Sequence, residues 1–400
     1  METDSSKMTG NESEPRFWKL ANDSHINSTN VTGSGCTDDQ GCDVLQRYAA
    51  WELQFYNYLF VYITPCIFAL IIIIGTTGNV MVCYVIVSRP KMRTTTNILL
   101  LNLAIADIAF LITYVPFQLH KYAGSSWLLG EGICRLVQYS LYVTSYVTVY
   151  TLTAIAFVRY FAVVWANSTA RYRTKRNVTY LCVSIWVVMC LCNVPTLGAH
   201  RVSTSQSYSY CGSNPRYTKQ LLLSFVLCAY LLPLTIICIV YTLIISYLRQ
   251  NQSSMLMNAA AASGSSTRNK SSSKTTKASK TIIIVIIVFC ISWLPSHVNN
   301  VIALFFTVPL SVFYEVFRVL SYSMAYGNSL ANPFIYHYAS EEFRAAFKEI
   351  FTSRCVTDDG SHRSCSTRTG TTRTVECHDQ PEPATVHELK PLQANETEHV

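Results

Sequence analysis

The stretch that most constrains this chain runs from Cys134 to Tyr160 and reads CRLVQYSLYVTSYVTVYTLTAIAFVRY. Residues 136–158 carry no charged side chain, enough for a helix to cross the ~30 Å hydrocarbon core of a bilayer. At ~1.5 Å of rise per residue, Cys134 and Arg159 stand roughly 38 Å apart, at opposite membrane faces. Between them lie Ser140, Thr144, Ser145, Thr148, Thr151, Thr153 and Ala154. Small and hydroxylated side chains let other helices approach closely and hydrogen-bond. The run therefore predicts the central helix of a bundle and not a lipid-facing anchor.

Six more charge-poor runs accompany the Cys134–Val164 segment: Tyr58–Val87, Asn97–Leu119, Val178–Gly198, Leu221–Leu248, Thr281–Phe306 and Val319–Tyr338. Each is long enough to span as a helix. Half of the residues are hydrophobic and 14% are charged, a membrane-protein profile. The fold class predicted is an all-α, seven-transmembrane-helix bundle over residues 55–339. Residues 1–54 read as an extracellular, glycosylated disordered tail, 340–352 as an amphipathic helix on the inner surface, and 353–400 as a cytoplasmic, Ser/Thr-rich disordered tail.

Orientation follows from Lys and Arg near the membrane. The connectors after the first, third and fifth runs carry Arg89, Lys91 and Arg93; then Arg171, Arg173, Lys175 and Arg176; then Arg249, Arg268, Lys270, Lys274, Lys277 and Lys280. The amino-terminal tail instead carries Glu12, Glu14, Asp38, Asp39 and Asp43 among few bases. This places the basic connectors in the cytoplasm and the amino terminus outside a plasma-membrane, multi-pass protein. The formal charge of +8 is then positive-inside sorting, with no nucleic-acid surface implied. No cleavable signal peptide is expected, because the first fifty residues are polar and the first apolar run is too long.

Sequons at Asn11, Asn22, Asn27 and Asn30 crowd the outer tail and predict glycosylation there. Those at Asn167, Asn251, Asn269 and Asn395 fall inside and should stay unused. Cys36 and Cys42 share the oxidising side, either as a small local disulfide or as free thiols. Most of the 15 cysteines lie within spans and read as small apolar packers. Cys134 and Cys211 differ: both fall in outer segments, and a disulfide between them would pin the loop after the fourth span over the bundle. Cys355, beyond the amphipathic helix, is a palmitoylation candidate.

Several residues inside spans are costly enough to need a purpose. Asp107 is a mid-span carboxylate, which must face a polar cavity. Gly78-Asn79 pairs a small residue with a buried amide. Pro116 bends the second span near its outer end, before Trp127 in the short outer loop. Pro233, Pro295 and Pro333 interrupt the fifth, sixth and seventh spans and leave carbonyls without helical partners. Asn332, directly before Pro333, is expected to satisfy that broken ladder, with Tyr336 one turn onward. The 249–280 connector, with its AAAASGSS and SSSK runs, reads as a flexible linker.

Taken in order, Gly78-Asn79, Leu103…Asp107, Cys134, Arg159-Tyr160, Trp186, Pro233, Trp293-Leu-Pro295 and Asn332-Pro-x-x-Tyr336 resemble the rhodopsin-like G protein-coupled receptors. The resemblance covers residues 55–355. Within that class the chain is most similar to the galanin and allatostatin-A receptor group, on VPFQ (115–118), WLLG (127–130), YLLPL (230–234), WLPSHV (293–298) and AYGNSLANPFIY…SEEFRAAFKEIF.

The resemblance implies a receptor for an extracellular neuropeptide, with another peptide class (somatostatin- or opioid-like) as the alternative. Leu141 stands where an amine receptor needs an acid, and Tyr326 where an opsin needs its Schiff-base lysine. The outer residues Gln118, His120, Gln138, Tyr139, Tyr142, His297, Asn300, Phe305 and Tyr322 suit a peptide's aromatic groups and amides. Asp107, Thr148, Trp293, Asn328, Ser329 and Asn332 resemble the family's sodium pocket, the only metal or cofactor implied.

Arg159, Tyr160, Tyr241, Trp293, Pro295, Asn332, Pro333 and Tyr336 are implied to carry activation. The kinked sixth helix would swing outward to expose Arg159 to a heterotrimeric G protein, with Tyr241 and Tyr336 meeting near it. Arrestin and receptor kinases are the partners implied for the tail. One departure stands out: Val158 replaces the family's acid before Arg159, leaving only hydroxyls such as Thr275 and Thr276, carbonyls or water to receive the guanidinium.

Two other classes fit less well. A secondary transporter would explain Asp107 and the prolines, but the halves of the chain show no internal repeat. An enzyme would need a nucleophile, a base and an orienting group falling together, and none do.

Overall fold

The computed structural model describes residues 51, 54–55, 58–123, 126–205, 208–259, 269–306 and 312–353. The side chains of 252–280 and those from 350 onward lie outside that description. So do the sequon residues Asn11, Asn22, Asn27 and Asn30, the pair Cys36 and Cys42, the hydroxyls of Thr275 and Thr276, and Cys355. The chain divides into two compact units, residues 1–347 and 348–400. The first is the helical bundle; the second is described only through Ser353.

Seven long helices make up the bundle among the described residues. They are α1 (Tyr58–Ser88), α2 (Thr95–Tyr122), α3 (Gly130–Val163), α4 (Lys175–Gly198), α5 (Pro215–Asn251), α6 (Asn269–Phe305) and α7 (Val312–Ala339). A shorter α8 (Glu341–Ser353) follows. The first six are long and apolar enough to cross a membrane. The seventh has the length, but Glu315, Arg318, Asn328 and Asn332 lower its hydropathy. Three of those four are buried, so α7 turns its polar side into the bundle.

Capping sets the helix starts where hydrophobicity does not. Thr94 accepts from the Asn97 N–H and Thr174 from the Asn177 N–H, both at 3.2 Å. Asn214 caps α5 through the Arg216 N–H at 3.1 Å, with Pro215 at the first helical position. The helices therefore begin a few residues outside the apolar runs. The 249–280 connector departs from its expected flexibility: it stays helical to Ala259 and again from Asn269. Sequence without proline continues a helix once a long apolar segment has nucleated it.

Burial identifies α3 as the centre. Its apolar window is 72% buried, against 22% for α4 and 28% for α1. The hydroxyl-rich face read from the sequence is the reason: Thr144, Ser145, Thr148, Thr151 and Thr153 are all buried. Outward-facing positions are apolar, with Ile73, Val183 and Ile291 each more than half exposed.

The prolines interrupt α5, α6 and α7 in different surroundings. Pro233 follows a π-helical turn, Leu227–Leu231, in which the Leu232 N–H reaches back to the Leu227 carbonyl. Pro295 lies inside α6 and offers no N–H to the Ile291 carbonyl one turn back; the Ser296 Oγ beside it donates to the Trp293 carbonyl at 2.8 Å. At Pro333 the carbonyl freed is that of Ser329, and Asn332 does not take it. Asn79 Nδ2, from α1, donates to it at 2.8 Å. Asn332 instead donates to Asp107. The side chain of the residue just before a proline points sideways from the broken rung, whereas the neighbouring helix faces it.

Two strands close one end. β1 (His200–Ser205) and β2 (Tyr208–Ser213) form an antiparallel hairpin with Val202 opposite Cys211. Cys211 is disulfide-bonded to Cys134 of α3, with a Cα–Cα distance of 5.5 Å. The Trp127 N–H donates to the Ser209 carbonyl at 2.7 Å, which ties the α2–α3 connector to the same hairpin. At the other end, Phe343 of α8 stacks on Tyr336 at 5.4 Å, and Phe343, Ala346 and Phe347 are buried. That is the amphipathic helix read from 340–352.

Candidate functional site

Beneath the hairpin lies a cavity of about 190 Å³ among α2, α3, α5, α6 and α7. A cavity that size takes one or two side chains of a larger ligand. Its lining brings together five of the nine residues proposed from sequence: Gln118, Gln138, Tyr142, Asn300 and Tyr322. Gln118 donates to Tyr114 Oη at 2.6 Å, and Tyr142 sits edge-on to Phe225. Trp293 forms the floor with Phe225 and is buried.

The other four are placed elsewhere. His120 lines a small neighbouring cleft with Trp127. Tyr139 turns towards α4 and donates to the Cys190 carbonyl at 2.8 Å. Phe305 is 72% exposed at the end of α6. His297 is buried among Tyr230, Phe225 and Trp293, its ring 4.5 Å from that of Tyr230, and neither ring nitrogen has a hydrogen-bond partner.

The cavity also has residues the sequence reading passed over: Lys121, His200, Asn299, Tyr314 and Arg318. Arg318 is paired with the buried carboxylate of Glu315 one turn earlier. Opposite charges at i and i+3 were a legible signal. The seventh apolar run, taken from Val319, excluded them. His200 comes from the hairpin, and its Nδ1 lies 2.8 Å from the Thr196 carbonyl. Burial holds its imidazole below the ordinary value of 6.5, and the Thr196 carbonyl opposes that shift.

Midway down, Asp107 is fully enclosed. It accepts from Ser329 Oγ and from Asn332 Nδ2, each at 2.7 Å, which ties α2 to α7. The Asn328 and Asn332 side-chain oxygens are buried nearby in sequence without hydrogen-bond partners. Thr148 and Ser145 of α3 are buried as well, and the Ser145 hydroxyl is unpartnered. A second polar link joins α2, α3 and α4: Asn102 donates to Thr151 at 2.8 Å and accepts from Trp186 Nε1 at 2.9 Å.

At the end opposite the hairpin, Arg159 Nε is buried without a hydrogen-bond partner, as are the hydroxyls of Tyr241 and Tyr336. Tyr241 and Glu342 of α8 are near enough to Arg159 to favour its charge. Val158 lies half-buried beside it. Tyr160 accepts from Trp165 Nε1 at 3.4 Å, in the connector towards α4.

A polar and aromatic cavity at one end, a buried arginine nitrogen without a partner at the other, and helices interrupted by proline between them are consistent with a receptor that signals across a membrane. Residues 78–336, well over half the chain, match the family of the 7 transmembrane receptor (rhodopsin family), and the chain belongs to it. It is 33% identical to galanin receptor type 1 of Homo sapiens, over 76% of this chain and 85% of that protein. It is 30% identical to the allatostatin-A receptor of Bombyx mori, over 79% and 88%. Identity to galanin receptor type 2 of Rattus norvegicus is 32%, over 72% and 75%.

Proposed function

We propose that the chain is a plasma-membrane receptor, amino terminus outside, for an extracellular peptide of the galanin or allatostatin-A kind, signalling through a heterotrimeric G protein. The observation that carries this reading is the cavity under the tethered hairpin. Its lining mixes amides (Gln118, Gln138, Asn299, Asn300) with phenols (Tyr114, Tyr142, Tyr322). Amides pair with a peptide's backbone and phenols cover its aromatic side chains. Its size suits one end of a peptide, with the remainder lying across the hairpin.

Trp293 lines this cavity two residues before Pro295, the proline inside α6. A peptide end pressing on Trp293 favours an arrangement in which the lower half of α6 swings outward. Arg159, with Tyr241 and Tyr336 as its hydroxyl neighbours, then meets the G protein. A ligand shifts this equilibrium only by binding one arrangement better than the other.

The oxygens around Asp107 fit a small hard cation. Its carboxylate has lone pairs beyond the two bonds it accepts, and the Asn328 and Asn332 side-chain oxygens are buried and unpartnered. Asp107, Thr148, Asn328, Ser329 and Asn332 would hold a sodium ion, whose charge favours the resting arrangement.

Cells expressing the chain, screened with amidated neuropeptides by calcium and cyclic-AMP readouts, test the reading. A response to galanin- or allatostatin-like peptides, lost on Gln118→Ala with Tyr142→Ala at equal surface expression, is expected. Responses only to small amines or lipids would overturn it.

A further inference from the structure

A second hollow is larger than the ligand cavity. A groove of about 690 Å³ runs between α3 and α4 at the end where Arg159 lies. It opens sideways from the bundle: Phe157, Phe161, Leu181 and Val188 on its walls are each about two-fifths or more exposed. Its floor is Ala154, Val158 and Ile185. Val158, the residue standing where the family has an acid, is therefore part of an apolar floor.

The lip of the groove is a different surface. Arg173 lies there with Thr169 and Asn177. Its guanidinium is held in place: Nη2 donates to the Ala166 carbonyl at 2.9 Å and Nε to Thr169 Oγ1 at 3.0 Å. Those bonds use two of its five N–H donors. Arg171, Lys175 and Arg176 surround it in sequence, and the chain has no Asp or Glu anywhere between Glu131 and Glu315. An apolar slot, a fixed arginine at its mouth and basic surroundings free of acids in that stretch are complementary to one kind of molecule.

We propose that this groove binds an anionic phospholipid of the inner leaflet. One acyl chain lies along Ala154, Val158 and Ile185, and the phosphate is held by Arg173 and the Asn177 amide. Thr169 both lines the groove and ends the short Ala166–Thr169 helix, so an occupied groove braces the connector that carries Trp165 against Tyr160. A carboxylate at 158 would wet the floor and repel the phosphate. The inference rests on the orientation proposed above, which makes this the cytoplasmic end. It does not depend on which ligand fills the other cavity.

The full-length chain, purified in mild detergent and exchanged with phosphatidylserine, phosphatidylcholine or cholesterol, tests this by native mass spectrometry of retained lipid. One phosphatidylserine per chain should be retained in preference to phosphatidylcholine. Arg173→Gln should weaken that retention about fivefold, the effect of one basic residue at a membrane surface. Ser184→Trp should abolish it, since the exposed Ser184 lines the groove and a large apolar side chain there fills the slot without disturbing the core. Lys91→Gln is the control, because Lys91 is exposed in the connector between α1 and α2 and is not part of the groove lining. Equal retention of the two phospholipids, retention of cholesterol in their place, or retention unchanged in Arg173→Gln and Ser184→Trp would each overturn the proposal. No peptide or G protein enters the assay, so its failure leaves the receptor reading intact, and failure of the receptor reading leaves the assay interpretable.

Discussion

Asn79 Nδ2 of α1 donates to the Ser329 carbonyl of α7 at 2.8 Å, the acceptor that Pro333 strands by having no N–H to offer it. The same amide also donates to the Gly75 carbonyl at 2.9 Å. Gly78 lets α1 come this close: a Cβ there would stand 2.9 Å from Pro333 Cγ. The Gly-Asn pair in the first span and the Asn-Pro pair in the seventh are thus two halves of one contact.

Breaking that contact should cost stability. Asn79→Leu leaves the Ser329 carbonyl buried without a partner, worth about 1–3 kcal/mol. Gly78→Val drives a side chain into Pro333 and should cost a similar amount. Thermal unfolding of the purified protein should show both variants melting lower than wild type. A melting point unchanged in Asn79→Leu would mean that water or a shifted α7 satisfies the carbonyl equally well.

Helices, their order and the central place of α3 were legible because charge-free length and hydroxyl content are local properties. The polar partnerships were not. Asn332 was expected to mend the break at Pro333, yet it serves Asp107, because which neighbour faces a broken rung depends on how the helices are packed. Tyr139 and Phe305 looked like cavity residues by their chemistry, but a helix turns side chains roughly 100° per residue and only packing fixes which of them face inward. Glu315 and Arg318 stand just before the apolar run that begins at Val319, so hydropathy alone does not mark them.

Sodium should oppose activation through Asp107. A cation bound by Asp107, Thr148, Asn328, Ser329 and Asn332 in the resting arrangement stabilises that arrangement by mass action. Agonist affinity should therefore fall as sodium replaces a larger cation, and Asp107→Asn should flatten the dependence. Competition binding in sodium and in N-methylglucamine buffers reads this directly; the same slope in wild type and variant would remove Asp107 from the site.

The hairpin should loosen in acid. The His200 imidazole is held below its ordinary 6.5 by burial. Its protonation therefore favours states in which it is exposed, and the stability it contributes is full above about 6.5 and declines as pH falls through the folded value. The melting temperature should drop between pH 7 and 5.5, by less in His200→Gln. An identical drop in that variant would assign the pH response to other groups.

Val158 should leave the receptor partly active without ligand. Arg159 Nε has no hydrogen-bond partner, and Glu342 of α8, exposed, is an acid near enough to favour its charge. A shift of only ~1.4 kcal/mol in the resting arrangement changes the active population about tenfold. Val158→Asp should lower basal signalling while peptide affinity is kept, and Glu342→Gln should raise it. Basal signalling at the level of untransfected cells, unmoved by either change at matched surface expression, would mean that packing alone holds the resting state.

The most direct test of the account joins its two ends in one measurement. The purified chain in phospholipid nanodiscs is mixed with heterotrimeric G protein, and guanine-nucleotide exchange is followed as galanin-like and allatostatin-A-like peptides are added. The account predicts that at least one peptide accelerates exchange, that Arg159→Ala removes the acceleration while the peptide still binds, and that Cys134→Ser with Cys211→Ser, which frees the hairpin, removes the binding itself. Exchange that no peptide alters, or acceleration that survives Arg159→Ala undiminished, would contradict it.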